Sequence, residues 1–150
     1  MPNAQSPYYP PVGFYFRVSV SGINGQNEGN FQEVTGLNVK LDVEEVKEGG
    51  ENRFSHRLPT RPKYENLVLK RGMITDSFLI TWARRATEQF IFSTKTVVLS
   101  LLNDDGVPLA TWNFTNAYPV AIRMSEFKAQ ENAIAIETLE LSFDYFERTT

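Results

Sequence analysis

The sequence predicts a mainly β fold, a small antiparallel β-barrel or sandwich of about seven strands with one flanking α-helix. Three observations predict it. Most segments between turn-forming residues alternate apolar and polar side chains, the two-residue period of a half-buried strand. Asn103-Asp104-Asp105-Gly106 separates two such runs, and Asp-Gly in that setting marks a hairpin. One segment alone, roughly Asp76–Glu88, spaces its apolar residues by three and four.

Met1 to Gly13 holds four prolines and little that can pack, so it reads as an extended arm. Phe14, Phe16, Val18 and Val20 then alternate with polar residues as a first strand, and the Gly/Asn-rich stretch Ser21 to Asn30 is a turn region. Phe31 to Thr35 forms a short strand that Gly36 breaks. Leu37, Val39, Leu41 and Val43 resume the alternation, which slips at Glu44-Glu45 in the manner of a β-bulge. Glu48–Pro62, reading EGGENRFSHRLPTRP, is charged and turn-forming, and is predicted to be a long loop. Tyr64 to Arg71 is apolar on both faces at its middle, as in a central strand.

The helix opens on Thr75 or Asp76, either of which can accept a hydrogen bond from a free first-turn amide. Phe78, Leu79, Trp82, Ala83 and Ala86 form its apolar side, with Trp82 in the core. Strands follow at Thr96 to Leu102 and Leu109 to Phe114. Another runs from Ala117 to Met124, where Pro119 demotes the start to an edge or bend. Ala133 to Phe146 is a last long alternation that places Glu137 on the same face as Ala135, Leu139, Leu141, Phe143 and Tyr145. At 150 residues the chain has the length of one domain, 1–150, with 1–13 as its arm.

Composition narrows the chemistry. With 41% hydrophobic and 13% aromatic residues the chain is ordinary and globular, and a net charge of -3 with scattered basic residues gives no nucleic-acid patch. Sequence-specific nucleic-acid binding is not predicted. The absence of cysteine excludes disulfides and thiolate chemistry, and fits a reducing cytoplasm. No basic segment followed by an apolar run marks a signal peptide, and no 18-residue apolar run can insert in a membrane. A hydrolase would rest on His56 beside Ser55, but sequence neighbours are not a triad and no carboxylate stands out. The pairs Glu44-Glu45 and Asp104-Asp105 point to opposite faces or sit in a turn, so neither flanks a bond. EGGEN lacks the lysine and helix of a phosphate loop, and no ligand set for a metal or cofactor is present. No catalytic, cofactor or metal site is predicted. Asn113-Phe114-Thr115 matches the glycosylation sequon within a predicted strand, and is read as chance.

The residues carry a resemblance in their order. It runs through Phe14-Tyr15-Phe16-Arg17-Val18, Phe31-Gln32-Glu33-Val34-Thr35-Gly36-Leu37, Glu48-Gly49-Gly50-Glu51-Asn52 and Leu58-Pro59. It continues through Lys63-Tyr64, Leu67-Val68-Leu69-Lys70-Arg71-Gly72, Trp82, Trp112-Asn113-Phe114 and Asn116-Ala117-Tyr118-Pro119. The series, from about Pro10 to Phe146, resembles the tail tube proteins of contractile-tailed phages and the inner tube proteins of phage-tail-like extracellular contractile injection systems. The ending FDYFERTT departs from the short His- or Glu-Gly-containing tail of many relatives. The resemblance implies a structural, non-enzymatic protein whose hexameric rings stack into a hollow tube. Implied partners are a contractile sheath, baseplate initiator and terminator proteins, and effector cargo or DNA in the lumen. The tube would assemble in the cytoplasm of the producing cell and become part of a tail or injection particle.

Apolar residues on both faces at Leu67 to Leu69 and Val97 to Leu102 exceed what one small core needs, and association buries such surplus. The Glu48–Pro62 loop fits an inter-subunit contact. Glu48, Glu51, Arg53, Arg57 and Arg61 supply complementary charge, with Phe54 and Leu58 as anchors. Two other readings remain at this point. One is a baseplate tube-initiator paralogue of the same fold; the other is a small β-barrel ligand-binding module, which requires an enclosed cavity.

Overall fold

The computed structural model describes residues 14–21, 27–46, 49–50, 56–72, 77–125 and 135–149, with 27–30 described in backbone only. The proline-rich arm lies outside these residues. In chain order the elements are β1 (Tyr15–Val20), β2 (Asn27–Phe31), β3 (Glu33–Thr35), β4 (Val39–Val46), β5 (His56–Tyr64) and β6 (Leu67–Gly72), then α1 (Phe78–Gln89). After the helix come β7 (Lys95–Leu102), β8 (Pro108–Met124), β9 (Ile136–Ser142) and β10 (Tyr145–Arg148). The fold is mainly β, as the alternation predicts.

Seven strands follow one another in a single antiparallel sheet, β2-β1-β7-β8-β9-β6-β3, and β10 adds to β8. Its two ends belong to almost the same segment. Only Gln32 separates β2 from β3, and its N–H donates to Lys70 O at 2.9 Å. The sheet is therefore curled into a half-barrel, with residues 27–35 joining its ends. The second sheet is the two-stranded hairpin β4-β5.

Beyond β2, which begins inside the expected turn region Ser21 to Asn30, and β5, most of which lies in the expected loop, three strand boundaries differ from the sequence expectation, each for a local reason. β8 is continuous for 17 residues, because Pro119 is absorbed as a register shift between Pro119 and Ala121 and does not end the strand. Its first part pairs with β7 and β10, its second with β9. The last long run breaks into β9 and β10 at Phe143-Asp144, where Asp144 N–H donates to Thr115 O and Asn116 Nδ2 donates to Asp144 Oδ2 at 2.7 Å. Tyr64 to Arg71 is two strands. The chain crosses Gly36 between them, and a Cβ at Gly36, whose φ is +95°, would lie 2.0 Å from Asn66 O.

The core lies between the curled sheet and the helix. Phe114, Leu67, Leu69, Leu99, Leu141, Val18 and Val97 are fully buried, and α1 packs over β8 through Leu79, Trp82, Ala83 and Ala86. Trp82 Nε1 donates to Ser93 O at 2.8 Å, which satisfies its one polar atom inside the core. The cap is Ser77, whose Oγ accepts from the Ile80 amide at 3.3 Å; Thr75 and Asp76 lie outside the described residues. Phe78, expected on the buried side, is exposed at the first position of the helix.

Alternation also carries two charges inward. Arg71 and Glu137 are register partners on β6 and β9, and both are buried. Arg71 Nε stands 3.9 Å from Glu137 Oε2, its Nη2 donates to the cap Ser77 Oγ, and its guanidinium lies 4.7 Å from the centre of the Phe31 ring. The group ties both sheet strands to the helix start. The space walled by Phe31, Leu69, Leu79 and this pair has no room for a water molecule, so the barrel here is filled.

Candidate functional site

The hairpin β4-β5 stands out from the body. Its register pairs Val39 with Tyr64, Leu41 with Pro62, Val43 with Pro59 and Glu45 with Arg57 on one face. Residues opposite each other in a ladder share a face, so Val39, Leu41, Val43, Pro59 and Pro62 make one apolar surface. All five are exposed. At the hairpin root Tyr64 packs edge-on against Phe143 and Phe146, with ring centres 5.7 and 5.1 Å apart. The apolar face is thus an extension of the body's aromatic cluster, carried out past the edge of the core.

The other face is polar. Lys63 Nζ lies 2.7 Å from Asp42 Oδ2, and Lys40 and Glu44 flank them. Thr60 Oγ1 donates to Asp42 O at 3.1 Å. The bulge expected at Glu44-Glu45 is displaced: the register shifts between Leu41 and Val43, with Thr60 and Arg61 opposite Asp42 alone. The extra residue sits on β5 between two prolines, which lack an N–H for the ladder.

Of the predicted contact residues, Arg57, Leu58 and Arg61 are not in a loop. They are exposed positions of β5. Charged and proline-containing sequence hid a strand, because its polar side is wet and its prolines sit on an edge strand. Arg57 lies 3.8 Å from Glu45 across the hairpin, so its charge is partly answered within the chain. Leu58 projects from the polar face opposite Glu44. Glu48, Glu51, Arg53 and Phe54 lie outside the described residues. His56 opens β5 as an exposed residue paired with Val46, and Ser55 is not among the described residues.

Sequence reasoning missed the apolar side itself. Val39, Leu41 and Val43 were legible as an alternating face, the pattern of a half-buried strand, yet they are 53, 56 and 58% exposed. Conversely Val68, Val98 and Leu101, read as surplus, are half-buried. A second exposed apolar group, Phe90-Ile91-Phe92, follows the helix. Among the described residues no cluster of His, Asp or Glu can hold a metal, and no helix is long and apolar enough to cross a membrane.

A family model described as the T4-like virus tail tube protein gp19 matches residues 12–147. The chain belongs to this family. Tail tube proteins are structural and not enzymatic, and this one is a component of a phage tail or contractile injection particle. Solved relatives agree along nearly the whole length. A chain of the anti-feeding prophage baseplate, 6-fold symmetrised, is 30% identical over 94% of this chain and 96% of its own, with a TM-score of 0.79. A chain of the sheath-tube complex of the PVC extracellular contractile injection system, in its extended state, is 28% identical over 95% and 93%, with a TM-score of 0.75. Hcp1 from Flavobacterium johnsoniae, 17% identical with a TM-score of 0.54 over 89% and 94%, shares the fold alone. No curated protein sequence matches the chain.

Proposed function

We propose that the tail tube protein is the repeating subunit of an inner tube, in which six copies form a ring and rings stack into a hollow conduit within a contractile sheath. Baseplate and terminator proteins cap the two ends, effector cargo or DNA occupies the lumen, and assembly takes place in the cytoplasm of the producing cell. The observation that carries this reading is the likeness to a chain of a sheath-tube complex over nearly all of both chains. The uncovered apolar face of the hairpin supports it physically, since a ring subunit must bury surface on its neighbours. The segment from Glu48 to Arg61, with Glu51, Arg53, Phe54, Arg57 and Leu58, forms the contact arm together with the hairpin it belongs to.

A second reading is favoured by the likeness to a baseplate chain: a tube initiator of the same fold, present as one ring at the base. Electron microscopy of native or co-expressed particles separates the two. The main-tube reading expects a tag on this chain to label the tube along its length; labelling confined to one end assigns the initiator, and a strictly monomeric chain in native particles removes both.

A further inference from the structure

Most of the exposed large apolar side chains among the described residues fall into two groups. One is the hairpin face. The other surrounds Phe90, which is 82% exposed and closes the helix in the left-handed region at φ +57°. A bulky residue is strained there, and glycine or asparagine is the usual occupant. The helix end is satisfied by backbone alone, since the amides of Phe90 and Ile91 both donate to Arg85 O. The phenyl ring of Phe90 thus adds little to its own chain's burial while sitting on a strained backbone. It stacks edge-on with Phe92 at 4.9 Å, and Phe92 in turn meets Tyr118 at 6.1 Å. An open groove of about 430 Å³ runs along this aromatic rib, walled by Ala86, Thr87, Phe90, Phe92, Tyr118 and Val120. On the Ile91 side a second groove, about 300 Å³, carries Trp82 and Phe78 with the cations Arg85 and Lys95.

We propose that the rib Phe90-Ile91-Phe92 is the seat for the apolar face of the β4-β5 hairpin of the next copy in the ring. The inference rests on the tube reading above and names the two surfaces that meet. A closed ring needs two unlike, mutually complementary patches on each subunit, and these are two such patches. Their chemistry matches. Pro59 and Pro62 on the hairpin are suited to an aromatic-walled groove, and Glu45, the carboxylate on the same face of the hairpin, is the one placed to meet Arg85 and Lys95 beside the rib. Packing hairpin face on hairpin face would instead give an isologous dimer and leave the rib bare.

The chain has no cysteine, so introduced thiols report one contact each. In tubes assembled from the Leu41→Cys/Phe92→Cys chain, oxidation is expected to give a covalent ladder up to ring size. Co-assembled single variants should give only mixed dimers, and either single variant alone none. Tubes without a ladder, or a Leu41→Cys homodimer, overturn the pairing and leave the tube reading intact; particles in which the unmodified chain forms no ring overturn both. Phe90→Gly supplies an independent arm. It should keep or raise the melting temperature, because glycine relieves the left-handed strain, while lowering ring yield by roughly tenfold or more. A fall in melting temperature would place the ring in its own chain's fold. Normal bare tubes that no longer take up sheath would assign the rib to the sheath. Either result sinks the proposal.

Discussion

Strands β4 and β6 both set apolar residues two apart, Val39-Leu41-Val43 and Leu67-Leu69, and the two sets end in opposite surroundings. In β6, Leu67 and Leu69 are fully buried, with β9 and β3 on either side. In β4, Val39, Leu41 and Val43 are more than half exposed, and among the described residues β5 is the one strand paired with it. A two-residue period says that one face is apolar; it does not say what covers that face. A lone two-stranded ribbon is marginal in water. The body of the subunit is covered by its own chain, whereas the described residues leave the apolar face of the hairpin open.

The largest effect should come from breaking the body where it is least forgiving. Glu137→Ala removes the carboxylate that faces the buried Arg71 guanidinium at 3.9 Å, and such a loss costs roughly 3–5 kcal/mol. Urea unfolding of the isolated subunit measures it. Arg71→Met combined with Glu137→Leu should recover most of the loss, since an apolar pair of similar volume needs no charge compensation. Failure of the double variant to recover would show that Arg71 is needed for its link to Ser77 and the helix start, and not for the charge pair.

The hairpin should respond in reverse. Leu69→Ala in the body costs about 2–5 kcal/mol of subunit stability, while Leu41→Ser on the hairpin face should change it by no more than about 0.5 kcal/mol. Yet Leu41→Ser should abolish tubes in electron micrographs, and Leu69→Ala should not do so below its melting temperature. A Leu41→Ser subunit that unfolds as readily as Leu69→Ala would mean that the hairpin face is covered within the chain.

Much of the body was legible because its coverage is local. Periodicity located β1 and the inward Glu137, runs apolar on both faces located β6 and β7, and three- and four-residue spacing located the helix. The hairpin was half legible. Val39, Leu41 and Val43 showed as a face, but their partner strand was masked by Arg57, Pro59, Arg61 and Pro62, whose charges and missing amides read as loop. Edge strands tolerate both, so local sequence does not separate an exposed edge strand from a turn. The rib at Phe90 carried no periodic signal at all. Its exposure and the strained backbone at the helix end mark it, and both are properties of coordinates, not of composition.

The smallest effect lies at the joint between the two regions. Glu140 accepts from Asn66 Nδ2 and from Arg123 Nη2, each at 3.1 Å. Asn66 stands in the short link from β5 to β6, so this carboxylate helps fasten the hairpin root to the body. The hydrogen bond from Asn66, then that from Arg123, holds the Glu140 carboxyl below its usual value of about 4.5. In the window beneath that value the unfolded chain takes up a proton that the folded chain refuses, so stability rises with pH there. The contribution is fully present above the usual value and is lost as pH falls through the lowered one. Because Arg123 is mostly exposed, the increment should stay under about 1 kcal/mol. Unfolding of the subunit followed from pH 6 down to pH 3 should show Glu140→Gln with a shallower acid loss than the unmodified chain. Equal slopes would mean that the joint is held by Asn66 and the Gly36 crossing, with the charge on Glu140 incidental.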